Sequence, residues 1–269
     1  MQAPNMDNQY PNDAPVPPEE RQPLDGHIPP GPPPGYRPQP NTIAFADTPC
    51  MTYILIGICV AVYIGQMLLP TPGGVDWLTL YGAKINDLIL QGQVWRLLTP
   101  MLLHGSILHL GVNMYALYIL GRFLEPAYGR WRFLLLFIVS GFAGNVISFW
   151  MSKSASVGAS TSIFGLLAAQ AVLIYQNRSL LRNARGLLMN IGMVLLFNLA
   201  LGLTPRIDLW GHVGGLLGGF AYAWSAGPLW HLDLSSMRLE NSRSNTRAVV
   251  VAIAVFTLFA IVAALKFIL

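Results

Sequence analysis

Ser160 and His212 are the two side chains of this sequence best placed to do chemistry together. Each stands just inside the start of a long apolar stretch, in Val157-Gly158-Ala159-Ser160-Thr161-Ser162-Ile163-Phe164-Gly165 and in Trp210-Gly211-His212-Val213-Gly214-Gly215. A polar side chain at membrane depth costs free energy unless it has a partner or a task. A serine and a histidine at equivalent depths in two spans can partner each other, and that pair is a nucleophile and its general base.

Other polar residues converge on the same level. His109 and Asn113 are four residues apart, so on a helix they share one face. Both can donate hydrogen bonds to a developing oxyanion. His104 does not share that face and is placed in the loop leading into the helix. The start of the Ser160 stretch adds unpaired backbone N–H groups and a positive dipole end, which also suit an oxyanion. Phe164, four residues after Ser160, puts an aromatic ring on the nucleophile's face, while Ser162 points elsewhere. Gly215 and Gly219 follow His212 on its own face, a small-residue strip that lets another helix approach closely. If that helix carries Ser160, the two reactive side chains meet.

The elements that must position these residues are membrane spans. Hydrophobic residues make up 54% of the chain and charged residues 10%, with a mean hydropathy of +0.50. Seven apolar runs approach the length that crosses a hydrocarbon core of roughly 30 Å: Tyr53–Leu69, Ile107–Leu124, Phe133–Met151, Ser160–Tyr175, Leu187–Leu203, Leu209–Ala226 and Ala248–Ile268. The first lies too far from Met1, behind a Pro-rich tail, to read as a cleaved signal peptide. Arginines follow the second, fourth and sixth runs (Arg122, Arg130 and Arg132; Arg178, Arg182 and Arg185; Arg238, Arg243 and Arg247), whereas the opposite connections hold mixed charges. This positive-inside pattern places the N-terminus in the cytoplasm and the C-terminus outside. Spans two, four and six then start at the outer side, which brings His109, Ser160 and His212 to one level. Cys50 and Cys59 fall on or beside the first span and lack the spacing of a metal site.

Three regions follow. Residues 1–48 read as a disordered, Pro-rich cytoplasmic tail, since so much proline with so little apolar content cannot build a core. A solvated tail is the favoured reading, and docking to a Pro-binding domain is the alternative. Residues 49–228 read as a six-span catalytic core, and residues 229–269 as a cytoplasmic linker with a seventh span that stands apart from the site. The long outer connection from Pro70 to Leu103 mixes Trp77, Tyr81 and Trp95 with polar residues, as suits the membrane interface. Glu125, near Arg122 and Arg130, is expected to form a cytoplasmic ion pair.

These motifs resemble those of the rhomboid intramembrane serine proteases, over about Tyr81 to Phe220. The family's Trp-Arg pattern stands as Trp95-Arg96. Its His-x-x-x-x-His-x-x-x-Asn pattern stands as His104, His109 and Asn113. Its Gly-x-Ser motif stands as Gly158-Ala159-Ser160, and its histidine with trailing glycines as His212, Gly215 and Gly219. The resemblance implies an all-α polytopic membrane protein: a rhomboid-like six-helix transmembrane bundle with a C-terminal seventh transmembrane helix. It implies a Ser–His dyad acting through an acyl-enzyme, with Ser160 as nucleophile and His212 as base and acid. His109, Asn113 and the Ser160 N–H would form the oxyanion site, and Phe164 would stack on His212. His104, Trp95 and Arg96 would support the site, Arg96 by holding loop carbonyls. Substrates would be membrane-anchored proteins cut within or beside a transmembrane helix, where helix-weakening residues expose the peptide bond. Thr161 stands where the family commonly has glycine, so a β-branched side chain with the bulk to crowd the site adjoins the nucleophile, a departure that bears on substrate range and not on activity.

Alternative readings are weaker. A non-proteolytic rhomboid-like membrane chaperone or adaptor would need neither Ser160 nor His212. A transporter would show repeated halves and intramembrane charge. Zinc would need Cys or acid ligands among the three histidines, and none lies on the outer halves of spans two, four or six. No cofactor, metal or nucleic-acid partner is expected; the partners are transmembrane substrates and the bilayer. An integral, multi-pass location in a bacterial plasma membrane is the expected setting.

Overall fold

A computed structural model describes residues 48–204, 207–233 and 238–269. The tail assigned to residues 1–48 lies, but for Thr48, outside the described residues, together with Arg206 and the side chain of Arg238. Seven long helices match the seven apolar runs: α1 (Cys50–Leu68), α4 (Ile107–Tyr128), α5 (Arg130–Met151), α6 (Ser160–Gln176), α7 (Ala184–Leu201), α8 (Leu209–Ala226) and α9 (Asn245–Leu265). Among the described residues, α1, α4, α5, α7 and α9 are long and apolar enough to cross a membrane by length and composition. The remaining two, α6 and α8, are those that carry Ser160 and His212.

Side-chain caps set several helix starts. Ser106 accepts from the His109 N–H and opens α4, Asp208 accepts from Gly211 and opens α8, and Ser244 accepts from Arg247 and opens α9. Each satisfies a backbone donor that the helix itself leaves unpaired.

The core is built around α5, α6 and α8, whose mutual packing is the most extensive in the molecule. Glycines make that possible. A Cβ on Gly215 would overlap the Thr161 carbonyl, and one on Gly219 would overlap the Gly165 backbone. On the α5 side, Gly214 and Gly218 admit Ala143, and Gly144 lies against Gly211. The small-residue strip after His212 therefore does face the helix that carries Ser160, and backbone meets backbone there. In contrast α7 buries only Ile191.

The outer connection is folded. It contains α2 (Trp77–Gly82), α3 (Asn86–Leu90) and 3-10 turns at Val94–Leu97 and Thr99–Leu102. Ile89 and Leu97 point into the core, while Trp77, Tyr81 and Trp95 stay exposed, as an interfacial segment should leave them.

Two features depart from the sequence reading. The linker after α8 is a hairpin, β1 (Trp230–Asp233) paired antiparallel with β2 (Arg238–Asn241). It is fixed to the bundle because Asn177 Oδ1 accepts from the Trp230 N–H. Glu125 makes no ion pair with Arg122 or Arg130. It is only 4% exposed and accepts from the Met51 N–H, the Thr52 N–H and the Thr52 hydroxyl at 2.7–2.8 Å. Helix α4 runs one turn past the expected end, so Glu125 faces the unpaired donors and positive dipole end of α1.

Candidate active site

Three helix starts bring the polar residues to one end of the bundle. Ser160 is the first residue of α6, His212 sits in the first turn of α8, and His109 and Asn113 lie in the first two turns of α4. His212 Nε2 is 3.0 Å from Ser160 Oγ, within the reach a base needs to take the hydroxyl proton. The Phe164 ring stacks on the His212 ring at 4.0 Å between centroids and 12° between planes. That contact fixes the imidazole plane, and Ser160 is half-buried and reachable.

Gly158 explains the approach of α4. Its φ of +135° lies in a region that side chains avoid. Added at this position, a Cβ would sit 2.7 Å from both Cε1 and Nε2 of His109 and 3.6 Å from Asn113 Nδ2. The bare backbone two residues before Ser160 thus lets both polar groups reach the level of Ser160. Asn113 is buried, and its Nδ2 has no hydrogen-bond partner among the described residues. A buried amide donor without a partner costs free energy unless a ligand or a transition state completes it. His109 Nδ1 faces the Gly105 N–H at 3.5 Å.

The supporting residues act on the outer connection. Arg96, 1% exposed, donates from Nη1 to the Ala83 carbonyl, from Nη2 to the Leu80 carbonyl and from Nε to Gln93 Oε1, each at 2.8 Å. Its planar fork of donors suits that task. Trp95 Nε1 donates to the Tyr81 carbonyl at 3.0 Å. His104 packs edge-on against the His109 ring at 5.3 Å. Burial, and then the neighbouring His109, push its imidazole down to about 4, so it stays neutral at working pH.

Thr161 does not crowd the site. Its side chain turns away from Ser160 into the notch formed by Gly144 and Gly211. Where the helix begins at Ser160, the next residue points toward α5 and α8, and two glycines there leave room for a β-branched side chain.

Sequence reasoning missed four residues. Gln66, at the end of α1, exchanges two hydrogen bonds with the His104 backbone at 3.0 and 3.1 Å and donates to Thr79 Oγ1 at 2.7 Å. Asn145 on α5 donates to the Leu97 carbonyl at 3.0 Å. Lys84 and Ser148 form a network with Asp208. The polarity of Gln66, Asn145 and Ser148 inside apolar runs was the available signal. Among the described residues, no three of His, Cys, Asp and Glu converge as a metal ion would require.

Comparison with known proteins gives the family. The family model for the Rhomboid domain matches residues 91–228, about half of the chain. The chain belongs to the rhomboid family. Similar proteins include the "Rhomboid protease GluP" of Bacillus subtilis (strain 168), 40% identical over 183 residues, covering 66% of this chain and 35% of that protein. The "RHOMBOID-like protein 6, mitochondrial" of Arabidopsis thaliana is 37% identical over 149 residues, 55% of this chain and 46% of the relative. The "RHOMBOID-like protein 5" of the same plant is 30% identical over 234 residues, 75% of each chain. This chain thus spans between a third and a half of the length of the first two. Family membership and the run of apolar helices make this rhomboid an integral, multi-pass membrane protein.

Proposed function

We propose that this rhomboid is an intramembrane serine endopeptidase that cuts membrane-anchored proteins within or beside a transmembrane helix. The contact between His212 Nε2 and Ser160 Oγ at 3.0 Å carries the reading. A relative named as a protease, 40% identical, supports it.

His212 Nε2 takes the hydroxyl proton as Ser160 Oγ attacks the scissile carbonyl carbon. The carbonyl oxygen becomes an oxyanion, which the Ser160 N–H and Asn113 Nδ2 stabilise at the start of α6. His109 contributes its Nε2–H, the tautomer that the Gly105 N–H facing Nδ1 favours. His212 returns the proton to the leaving amine, and the acyl-enzyme remains on Ser160 Oγ. A water, activated by His212, then hydrolyses that ester. Among the described residues no acidic side chain is hydrogen-bonded to His212 Nδ1, and the stacked Phe164 ring holds the orientation of the imidazole.

The peptide bond in a transmembrane helix is shielded by its own hydrogen bonding, so substrates must unwind locally near the level of Ser160. Residues that weaken helices should mark the cut. The arginine pattern supports a site toward the outer side, with the N-terminus in the cytoplasm and the C-terminus outside. Relatives carry mitochondrial and chloroplastic names as well as a bacterial one, so the similarity supports a membrane location without choosing the membrane.

The test is cleavage of a single-span reporter with a glycine-rich outer juxtamembrane segment, reconstituted with the full chain in liposomes. Mass spectrometry should find a cut near that segment with the unmutated protein and none with Ser160→Ala or His212→Ala. Binding of the reporter without a cut, equal in all three proteins, would replace this reading with the adaptor.

A further inference from the structure

We infer that Lys84 is a positioning residue that ties the segment before Ser160 to the helix start that carries His212, and so sets the distance between them. The inference rests on the dyad reading for its consequence in catalysis, but the contacts stand independently.

Lys84 lies in the outer connection, between α2 and α3, and is fully buried. Its backbone forms a two-way bridge with Ser156: the Lys84 N–H donates to the Ser156 carbonyl at 3.0 Å, and the Ser156 N–H returns to Lys84 at 3.1 Å. Ser156 is four residues before Ser160, and the Gly158 N–H is held in turn by the Pro100 carbonyl at 2.8 Å. The lysine backbone therefore fixes the approach to the nucleophile.

Its side chain reaches the other half. Nζ donates to Ser148 Oγ at 3.0 Å, to the Ser152 carbonyl at 3.2 Å and to the Ser148 carbonyl at 3.4 Å. An ammonium has three protons, and here it has three acceptors. Ser148 Oγ in turn donates a hydrogen bond to Asp208 Oδ2 at 2.5 Å. The other oxygen of Asp208 caps α8 through the Gly211 N–H at 3.0 Å, and the Asp208 carbonyl accepts from the His212 N–H at 3.1 Å. The chain Lys84–Ser148–Asp208 is an ion pair relayed by one hydroxyl, with Lys84 and Ser148 fully buried and Asp208 half-buried. A buried lysine without this arrangement would be costly.

The charged groups facing Lys84 are Asp208 from the start of α8 and Lys266 from the end of α9. Burial lowers the ammonium, Asp208 opposes, and Lys266 reinforces the fall, to about 8. Deprotonation removes one donor from the three acceptors and leaves Asp208 without its compensating charge. Stability moves the other way. Between about 8 and the ordinary lysine value the unfolded chain binds more protons, so this group makes the fold more stable as pH rises. Positioning therefore predicts a loss of reactivity above pH about 8 without a loss of stability, a combination that a purely structural lysine does not give.

The experiment uses the full detergent-solubilised chain, Lys84→Met, Lys84→Arg and Ser148→Ala. Hydrogen exchange at the first turn of α8 needs no activity. It should accelerate roughly tenfold or more in Lys84→Met and in Ser148→Ala, as loss of a hydrogen bond to a charged group implies. Exchange at residues 154–159 should rise only in Lys84→Met. The rate of Ser160 labelling by a fluorophosphonate should fall above pH about 8 in the unmutated chain. That alkaline fall should vanish in Lys84→Met, from a lower plateau, and move to higher pH in Lys84→Arg. Unmutated exchange in both Lys84→Met and Ser148→Ala would overturn the inference, as would an alkaline fall that persists in Lys84→Met. If no protein labels, the dyad reading fails, and the exchange result still decides the role of Lys84.

Discussion

In the proposed mechanism Asn113 and Ser160 divide the chemistry between a transition-state donor and a nucleophile. Ser160 Oγ has His212 Nε2 at 3.0 Å, while Asn113 holds a buried donor with no partner among the described residues, beside the backbone that leads to Ser160. A group so placed serves, in that mechanism, the transition state more than the resting state. Asn113→Ala should lower kcat for reporter cleavage by about a hundredfold, as loss of one oxyanion donor does, with KM little changed. A matched rise in KM with kcat intact would make Asn113 a substrate-binding group instead. Ser160, His212, His109, Asn113 and Phe164 were legible in the sequence because a polar residue in an apolar run stands out and helical spacing says which face it shares. Lys84 was not, since a lysine in an outer connection looks solvated until its partners on α5 and α8 are known. Glu125 was misread for a similar reason. Arg122 and Arg130 are its neighbours in sequence, but its carboxylate looks across to α1.

At the scale of elements, the contact between α6 and α8 decides whether the dyad exists. Their backbones touch at Gly215 and Gly219, so a larger residue cannot be absorbed by a side-chain shift. Gly215→Val should destabilise by about 1–3 kcal/mol or more, the usual cost of overpacking, and should slow Ser160 labelling even in the folded fraction. Measured melting temperature and labelling rate at low temperature separate the two effects. On the other side of the bundle, Glu125→Ala strips three donors at the start of α1. It should cost about 1–3 kcal/mol, the penalty of buried groups left unpaired, while labelling of the folded protein stays near that of the unmutated chain. The spans were legible because hydropathy and length determine them, and their ends were less so because caps determine those. Helix α4 outran its apolar run to include Glu125, whose charge suggested an end, and α7 began three residues before Leu187, where Asn183 caps it.

In the whole molecule, a closely packed α5–α6–α8 core carries the dyad, the folded outer connection braces it, and α9 covers the back of α5. Phe256 stacks on Phe142 at 4.0 Å, Trp150 Nε1 donates to the Val262 carbonyl at 2.8 Å, and Lys266 Nζ donates to the Phe149 carbonyl. Removing residues 245–269 exposes that face of α5. The truncated chain should melt at lower temperature and still label at Ser160, and loss of labelling in protein that remains folded would make α9 part of the site. The seventh helix was visible from its apolar length. The hairpin before it was not, because its short strands depend on Asn177 and Asn241 for anchorage, and such contacts leave no period in a sequence.

The proposed function requires Ser160 to be an activated nucleophile supported by His212. Labelling of the purified, detergent-solubilised chain with a fluorophosphonate serine probe tests it most directly, with Ser160→Ala and His212→Ala alongside. The unmutated protein should label, and labelling should be lost in both variants, since members of a dyad act as a unit. Equal labelling of His212→Ala, or none of the unmutated chain while another rhomboid protease labels well under the same conditions, would contradict it.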